Sequence, residues 1–515
     1  MHPAAHAATD PTKPAVIMAE TGETITYAEL DERSIQLARL LASRGLRPGD
    51  RIAIFAENHP RWFEVIWAAL RSGLYLVTVN RHLSAEEAAY IVQDSEAQVL
   101  ITSHHLAGVA HDMLAHIPAC EHRLMFDGRV VGFESYEDAV GAQPTEPLAE
   151  QPRGDMMLYS SGTTGRPKGI KRALRDLQVD DPAGAGMSLM QRYVLGMDET
   201  SVFLSPAPMY HAAPIHWTIG VQELGATVVL MGRFDPEGYL AAVQRYGVTH
   251  SQVVPTMMIR MLALPESVRS SYDMSTMKGL VHAAAPCPPE AKRQMIEWLG
   301  PVVNEYYSGT EGGGLTYITS EEWLAHPGSV GKAFVGVVHI CAEDGTELGP
   351  GEIGSVYFGS DTEPFEYHGD PAKTAESRHP DNRFWTTLGD VGYVDEEGYL
   401  YLTDRKSFMI ISGGVNIYPA EIESVLIMHP KVADVAVFGL PDPEMGEFVQ
   451  AVVQTADGVV GDDALVDELR AYGREHLAGY KIPRVIDFRD ELPRLPTGKL
   501  YKRELRDEYL KAAGA

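Results

Sequence analysis

SSGTTGRPKG, residues 160–169, decides how this chain is read. Its ten residues include three glycines, four hydroxyls, a proline and two cations. Such a composition makes a poor helix and a poor strand, so the stretch reads as an exposed loop. Glycines let backbone N–H groups close on an anion; Ser160, Ser161, Thr163 and Thr164 add hydroxyls, and Lys168 adds charge. A P-loop NTPase would need GxxxxGK followed by Ser or Thr, and here Gly169 follows Lys168. Taken alone, the loop leaves two readings standing: a phosphate cradle and a plain solvated turn.

Working outward, helical and strand patterns alternate. ITYAELDERSIQLARLLASRG opens strand-like and continues as an amphipathic helix to Gly45. RIAIFAEN, YLVTVN and AQVLITS are strand patterns separated by the helices RWFEVIWAALRSG and the serine-capped SAEEAAYIVQDSE. After the loop, SVFLSPAP, ATVVLMG, THSQVVP and KGLVHAAA continue the series. Alternation of this kind predicts an α/β fold with helices packed on parallel sheets. From about Phe334 the chain turns β-rich, through GEIGSVYFGS, NRFWTTLGDVGYVDEEGYLYLTDR and FMIISG. AEIESVLIMHP then reads as a helix, VADVAVFGLPD as a strand and turn, FVQAVVQT as a strand and VDELRAYGREHL as a helix. The turn TDRKS, residues 403–407, is the expected boundary. It divides a large N-terminal domain, 1–404, from a small mobile α+β domain, 408–515, with 405–407 as hinge.

Composition narrows the function. The 515 residues are 45% hydrophobic and 22% charged, an ordinary globular mixture, and the length implies more than one domain. A formal net charge of -28 argues against nucleic-acid binding. Cys120, Cys287 and Cys341 have no metal or CxxC spacing and read as buried small hydrophobes in a reducing compartment. No signal peptide or membrane-length apolar run is visible, so a cytoplasmic protein without integral membrane association is expected. Residues 479–515 hold nine Lys/Arg against six Asp/Glu, a basic tail after a strongly acidic stretch. That tail reads equally well as a solvated face and as a local anion contact.

Together with five further segments, LYSSGTTGRPKGI resembles the signatures of the adenylate-forming superfamily: acyl-CoA synthetases, peptide-synthetase adenylation domains and luciferases. The five are PMYHAAP (208–214), HAAAPCPPE (282–290), EYYSGTEGG (305–313), WTTLGDVGYVDEEGYLYLTDR (385–405) with SGGVNIYPAEIE (412–423), and LPTGKLYKREL (495–505). They stand in the superfamily's order across nearly the whole chain, which looks most like bacterial fatty-acid and related acyl-CoA ligases. The resemblance implies a two-step reaction: a carboxylate attacks the α-phosphate of ATP, giving acyl-adenylate and pyrophosphate, and the thiol of coenzyme A then displaces AMP.

By the same resemblance, Ser160, Ser161, Gly162, Thr163, Thr164, Gly165 and Lys168 wrap the β- and γ-phosphates. Ala284, Ala285 and Pro286, with Glu305, Tyr306, Tyr307 and Ser308, border the nucleotide, and Tyr307 stacks on adenine. The family usually has glycine where Ser308 stands. Thr310 contacts the α-phosphate, and Glu311 binds Mg2+, a hard cation that prefers carboxylate oxygen. Asp390 accepts both ribose hydroxyls, with Arg405 beside it. Lys499 bridges the incoming carboxylate and the α-phosphate. His211 lies against the acyl carboxylate and gates its pocket; an ordinary helix cap is the bland alternative. The pivot is Asp404-Arg405-Lys406-Ser407, with Ser407 where relatives carry Asp or Lys. Gly413 and Gly414, with Asn416, approach pantetheine, and Lys481 or Arg484 meets a CoA phosphate.

For the acid, residues 211–220, 283–285 and 312–314 are expected to form the walls. They are mostly alanine and glycine, with Trp217, Met257 and Met258 as lining. This predicts a monocarboxylic acid with a large apolar body, a medium or long chain or a bulky ring. The alternative is that small residues only let backbones pack. Two other functions stay open: delivery of the acyl group to a carrier protein, and a non-catalytic nucleotide-binding relative. A homodimer is the default oligomer.

Overall fold

The structure is a computed structural model that describes residues 2–160, 167–405, 408–413, 415–493 and 500–512. The predicted α/β class holds. The chain forms two compact units, one of residues 1–253, 264–280 and 364–374, the other of 254–263, 281–363 and 375–515.

In the first unit one sheet runs Glu366–Tyr367, Lys168–Lys171, Asp155–Ser160, Tyr75–Val79, Arg51–Phe55, Val99–Ser103, His122–Phe126, Glu134–Ser135. The strands from Asp155–Ser160 onward pair in parallel, while Lys168–Lys171 turns back antiparallel. Its helices start where the sequence says they should. Thr26 and Ser84 each cap a helix in a box with Glu29 and Glu87, satisfying two N-terminal donors reciprocally. Ala88, Ile91 and Val92 drive one helix face into a core with Val77, Leu100 and Met125. A second group of strands in this unit runs His250–Val253, Val202–Ser205, Thr227–Leu230, Pro14–Met18, Thr24–Thr26.

The second unit contains the antiparallel meander Val303–Tyr307, Leu315–Ile318, Lys332–Val335. It also holds a sheet in which Asn382–Val394 lies between Gly354–Gly359 and Leu400–Arg405. From Ile410 on, the strands Val415–Ile417, Ile410–Ser412, Gly446–Thr455, Val432–Asp442 and Val485–Arg489 carry the helices Pro419–Leu426, Asp463–His476 and Lys502–Ala512. This smaller α+β assembly has its own core around Ile422, Leu426, Val437 and Leu469.

Three readings are corrected. Residues 160–169 are not all loop, because Ser160 and Lys168 close an antiparallel pair and Gly169 faces Tyr159 in it. A Cβ at Gly169 would sit 2.5 Å from Met157 Cε and 3.1 Å from the Tyr159 ring, so a side chain there would have to push the Met157 end aside. Thr403, Asp404 and Arg405 are strand rather than turn, because pairing with 390–394 overrides their local turn chemistry. Likewise VADVAVFGLPD has no terminal turn; the strand runs to Asp442 against Gly446. Of the cysteines, Cys120 and Cys341 are buried, but Cys287 is only partly so. Among the described residues, no helix is long and apolar enough to cross a membrane.

Candidate active site

The first unit carries the stem of the glycine-rich loop. Residues 161–166 lie outside the described ones, but both strands that flank them are fixed. On the exit side Tyr90 Oη donates to the Pro167 carbonyl at 3.2 Å, and on the entry strand Tyr159 Oη donates to Asp94 Oδ2 at 2.7 Å. Lys168 Nζ is bonded to Asp370 Oδ2.

The same unit holds the PMYH turn. Asn58 spends its whole side chain on it: Nδ2 donates to the carbonyls of Ala207 (3.0 Å) and Met231 (2.8 Å), and Oδ1 accepts from Met209 N at 2.8 Å. Thr78 Oγ1 donates to the Tyr210 carbonyl at 2.7 Å. His211 is the N-cap residue of the helix Ala212–Leu224, yet its side chain makes no capping bond. Both its Nε2 and the neighbouring Tyr210 hydroxyl are buried, with no hydrogen-bond partner among the described residues. Burial, with the charge of His82 adding to it, pushes the His211 pKa down to about 3, so the ring is neutral. A neutral ring nitrogen and a hydroxyl, desolvated and unbonded, are poised to meet a polar group.

In the second unit, strand pairing brings distant motifs together. Tyr307 Oη donates to Asp390 Oδ2 at 2.6 Å across 83 residues of sequence. Asp390 is buried, and it stands opposite Arg405 in the pairing of its strand with Leu400–Arg405. Ser308, where a glycine is usual, closes the following turn by donating to the Gly314 carbonyl at 2.7 Å. Thr310 and Glu311 ride on that turn, half-buried. Among the described residues no cluster of three metal-ligating side chains exists.

Ala284, Ala285 and Pro286 form a lip, with Ala284 and Pro286 exposed and Ala284 at φ +76, a conformation costly for any residue with a Cβ. Beneath it lies a cluster that the sequence reading missed. Lys292 Nζ donates to Glu305 Oε2 at 2.7 Å, and His282 Nε2 is 3.5 Å from the same oxygen. All three side chains are buried, and burial raises the Glu305 pKa against the pull of Lys292. So the Glu305 carboxylate braces the lip's base. Tyr306 faces Tyr317 in the meander.

In the C-terminal assembly, Gly413 has φ +57, and a Cβ there would lie 2.5 Å from Met445 Cε. Asn416 is exposed. Lys481 is bonded to Glu421 at 2.7 and 2.6 Å, and Arg484 is bonded to Asp442, so each already has an anion. Gly414 and Lys499, with Lys406 and Ser407, lie outside the described residues.

Two of the small wall residues are small for packing. A Cβ at Gly220 would meet Gln191 Oε1 at 2.5 Å, and one at Gly314 would meet the Phe358 ring at 2.1 Å. Trp217 stacks on Phe203 with centroids 5.9 Å apart, and Met257 and Met258 are buried.

Comparison with known proteins follows the same lines. The profile of the AMP-binding enzyme family matches residues 4–362, and that of the AMP-binding enzyme C-terminal domain matches 421–499. A fatty acid–[acyl-carrier-protein] ligase of Streptomyces coeruleorubidus is 32% identical over 98% of this chain and 95% of its own length. A feruloyl-CoA synthase of an Amycolatopsis species is 34% identical over 95% of this chain and 94% of its own. Among solved structures, an anthranilate CoA ligase in complex with anthranoyl-AMP superposes with a TM-score of 0.86 at 26% identity, covering 99% of this chain and 97% of that one.

Proposed function

This chain belongs to the AMP-binding enzyme family and is an AMP-forming acid–thiol ligase; we propose that it activates a bulky apolar monocarboxylic acid and transfers it to coenzyme A. The observation that carries the nucleotide half is the bond from Tyr307 to Asp390. It holds an aromatic face and a carboxylate at one place, as adenine stacking and a bidentate ribose contact require. The loop 160–168 takes the β- and γ-phosphates, and Thr310 takes the α-phosphate. When bound, Mg2+ at Glu311 neutralises phosphate charge. Lys499 bridges carboxylate and α-phosphate, two anions that otherwise repel. Ala284, Ala285 and Pro286 border the base, and Glu305 supports them from below.

The acid meets His211 and Tyr210, whose unbonded atoms offer hydrogen bonds to its carboxylate end. The fatty acid, feruloyl and anthranilate named for three of the relatives support an acid body larger than that of acetate. A small domain, 408–515, turns about 405–407 between the two half-reactions, because adenylation needs Lys499 and thiolation needs space for pantetheine at Gly413 and Gly414. For CoA phosphate to reach Lys481, it must displace Glu421.

The test is pyrophosphate release over acetate, octanoate, long-chain and aryl acids, followed by CoA-dependent thioester formation. Best turnover on acetate refutes the apolar pocket. Lys499→Ala is expected to abolish adenylation while sparing thioester formation from supplied acyl-adenylate; equal loss of both steps refutes the role of Lys499. One relative acts on an acyl-carrier protein, which favours a second reading. Thioester on a carrier protein and none on CoA would establish it.

A further inference from the structure

Lys168 opens the strand that leaves the loop, and its partner comes from far along the chain. Residues 364–374 belong to the first unit, although the chain on both sides of them belongs to the second. This eleven-residue excursion clasps the strand that leaves the loop. Glu366 and Tyr367 pair with Lys171 and Ile170, and His368 N donates to the Gly169 carbonyl at 2.8 Å. Lys171 Nζ lies 3.3 Å from Glu366 Oε1. Asp370 then faces Lys168 with Oδ2.

Asp370 is itself held rigidly. Its Oδ1 accepts from Lys373 N at 2.8 Å, and its carbonyl accepts from Thr374 N (3.0 Å) and Thr374 Oγ1 (2.9 Å). Thr374 Oγ1 in turn accepts from Tyr367 N at 2.9 Å. One carboxylate oxygen therefore serves the backbone turn, and the other serves the lysine. The lysine and the aspartate side chains are 30% and 32% exposed, so water and anions reach the pair.

We propose that Asp370 is the counter-anion which the phosphates of ATP displace from Lys168, so that this carboxylate sets how tightly the loop takes nucleotide. The proposal rests on the reading of residues 160–168 as the phosphate site. A lysine ammonium is a compact charge on a flexible stem, and it exchanges anionic partners without moving its backbone. A phosphate has to replace the Asp370 bond and also approach a fixed negative charge. Both effects oppose ATP and pyrophosphate, and both are absent once the carboxylate is neutral. Weakened retention of pyrophosphate is what the first half-reaction needs, since its product has to leave before CoA acts.

Asp370→Asn tests this in the full chain, because asparagine keeps an oxygen for Lys373 N while removing the charge. The expected result is ATP and pyrophosphate binding about threefold to fivefold tighter by calorimetry, the range that a pair a third exposed supplies. That gap should shrink in high salt. It should also shrink in a Lys168→Ala background, which itself binds ATP more weakly, because only the repulsion by the fixed charge is left there. Asp370→Ser, a second capping residue without charge, repeats the measurement should the amide perturb the turn. Unchanged or weaker ATP binding in both Asp370 variants, with Lys168→Ala still impaired, overturns the displacement. ATP binding untouched by Lys168→Ala overturns the phosphate reading of the loop and the proposal with it.

Discussion

Removing Lys292 should cost this protein far more than removing a lysine normally does. Its ammonium donates to Glu305 Oε2 at 2.7 Å, and the two side chains are 1% and 8% exposed. The Trp323 ring centroid lies 4.9 Å from the same nitrogen. Lys292→Met keeps most of the volume but leaves Glu305 without its counter-charge, beside a neutral His282. Breaking a buried pair in this way costs about 3–5 kcal/mol, a large share of the roughly 5–15 kcal/mol that holds a domain folded. Restoring charge balance with Lys292→Met plus Glu305→Leu should recover most of the loss, since an apolar pair of similar size is about neutral relative to the ion pair.

The two variants also differ in pH dependence. Burial raises the Glu305 pKa in the fold, and loss of Lys292 raises it further. Above the ordinary carboxylate value the fold then binds more protons than the unfolded chain, so stability falls as pH rises. The single variant should lie nearest wild type at about pH 5 and furthest from it at about pH 8, by urea midpoints of the full chain; the double variant should show no such widening. Since Glu305 leads directly into Tyr306 and Tyr307, KM for ATP should rise in the single variant as well. A single-variant cost below about 1 kcal/mol, or double-variant losses that simply add, refutes the brace.

Three other outcomes are expected. Ala284→Gly should raise stability by about 0.5–1 kcal/mol, because φ +76 strains alanine and not glycine; a lower melting temperature would contradict the strain. Glu311→Gln should raise the Mg2+ concentration needed for half-maximal pyrophosphate release, and an unchanged Mg2+ titration puts the metal elsewhere. His211 and His282 are held neutral by burial, with pKa values lowered in the fold. Below about pH 6.5 the unfolded chain therefore binds more protons, and each ring should remove about 1.4 kcal/mol by pH 5.5. Urea midpoints flat across that window would show the rings to be hydrated.

What the sequence made legible was local or ordered. Ser84 ahead of AEEAAYIV announces its helix because the cap and its Glu87 partner lie three residues apart. The motif series was readable because each segment carries its own residues. What stayed hidden depends on partners distant along the chain. Lys292 looks like a surface residue of an amphipathic helix until Glu305 and His282 enclose it. Asp370 lies 202 residues from Lys168, and nothing near either residue points to the other. Small size proved the least reliable signal: Gly220 and Gly314 looked like pocket space, and Gln191 and Phe358 fill it. Arg405 read as turn because Asp, Arg, Lys and Ser favour turns, whereas pairing with Asp390 makes it strand.

The segment after Lys499 bears on the hinge proposed at 405–407. Lys502 is buried, with Nζ 2.8 Å from Glu423 Oε1, which also accepts from Val437 N at 2.7 Å. Leu505 packs in the same place with Phe438 and Val452. The helix Pro419–Leu426, the strand Val432–Asp442 and the helix Lys502–Ala512 are thus tied together by one carboxylate. Burial pushes the Glu423 pKa up, and Lys502 opposes that push. A tie of another kind is found among the described residues: Asp404 Oδ2 accepts from Ala420 N at 3.0 Å, on the first turn of the helix Pro419–Leu426. In a rotation about 405–407, Glu423–Lys502 lies wholly on the moving side and travels intact. Asp404–Ala420 spans the pivot and has to break. A single hydrogen bond to a carboxylate is worth about 1.5–3 kcal/mol, small enough for ligand binding to overcome. The Glu423–Lys502 pair, being on one side of the proposed pivot, would stay whole in such a rotation and keep anchoring the chain three residues past Lys499.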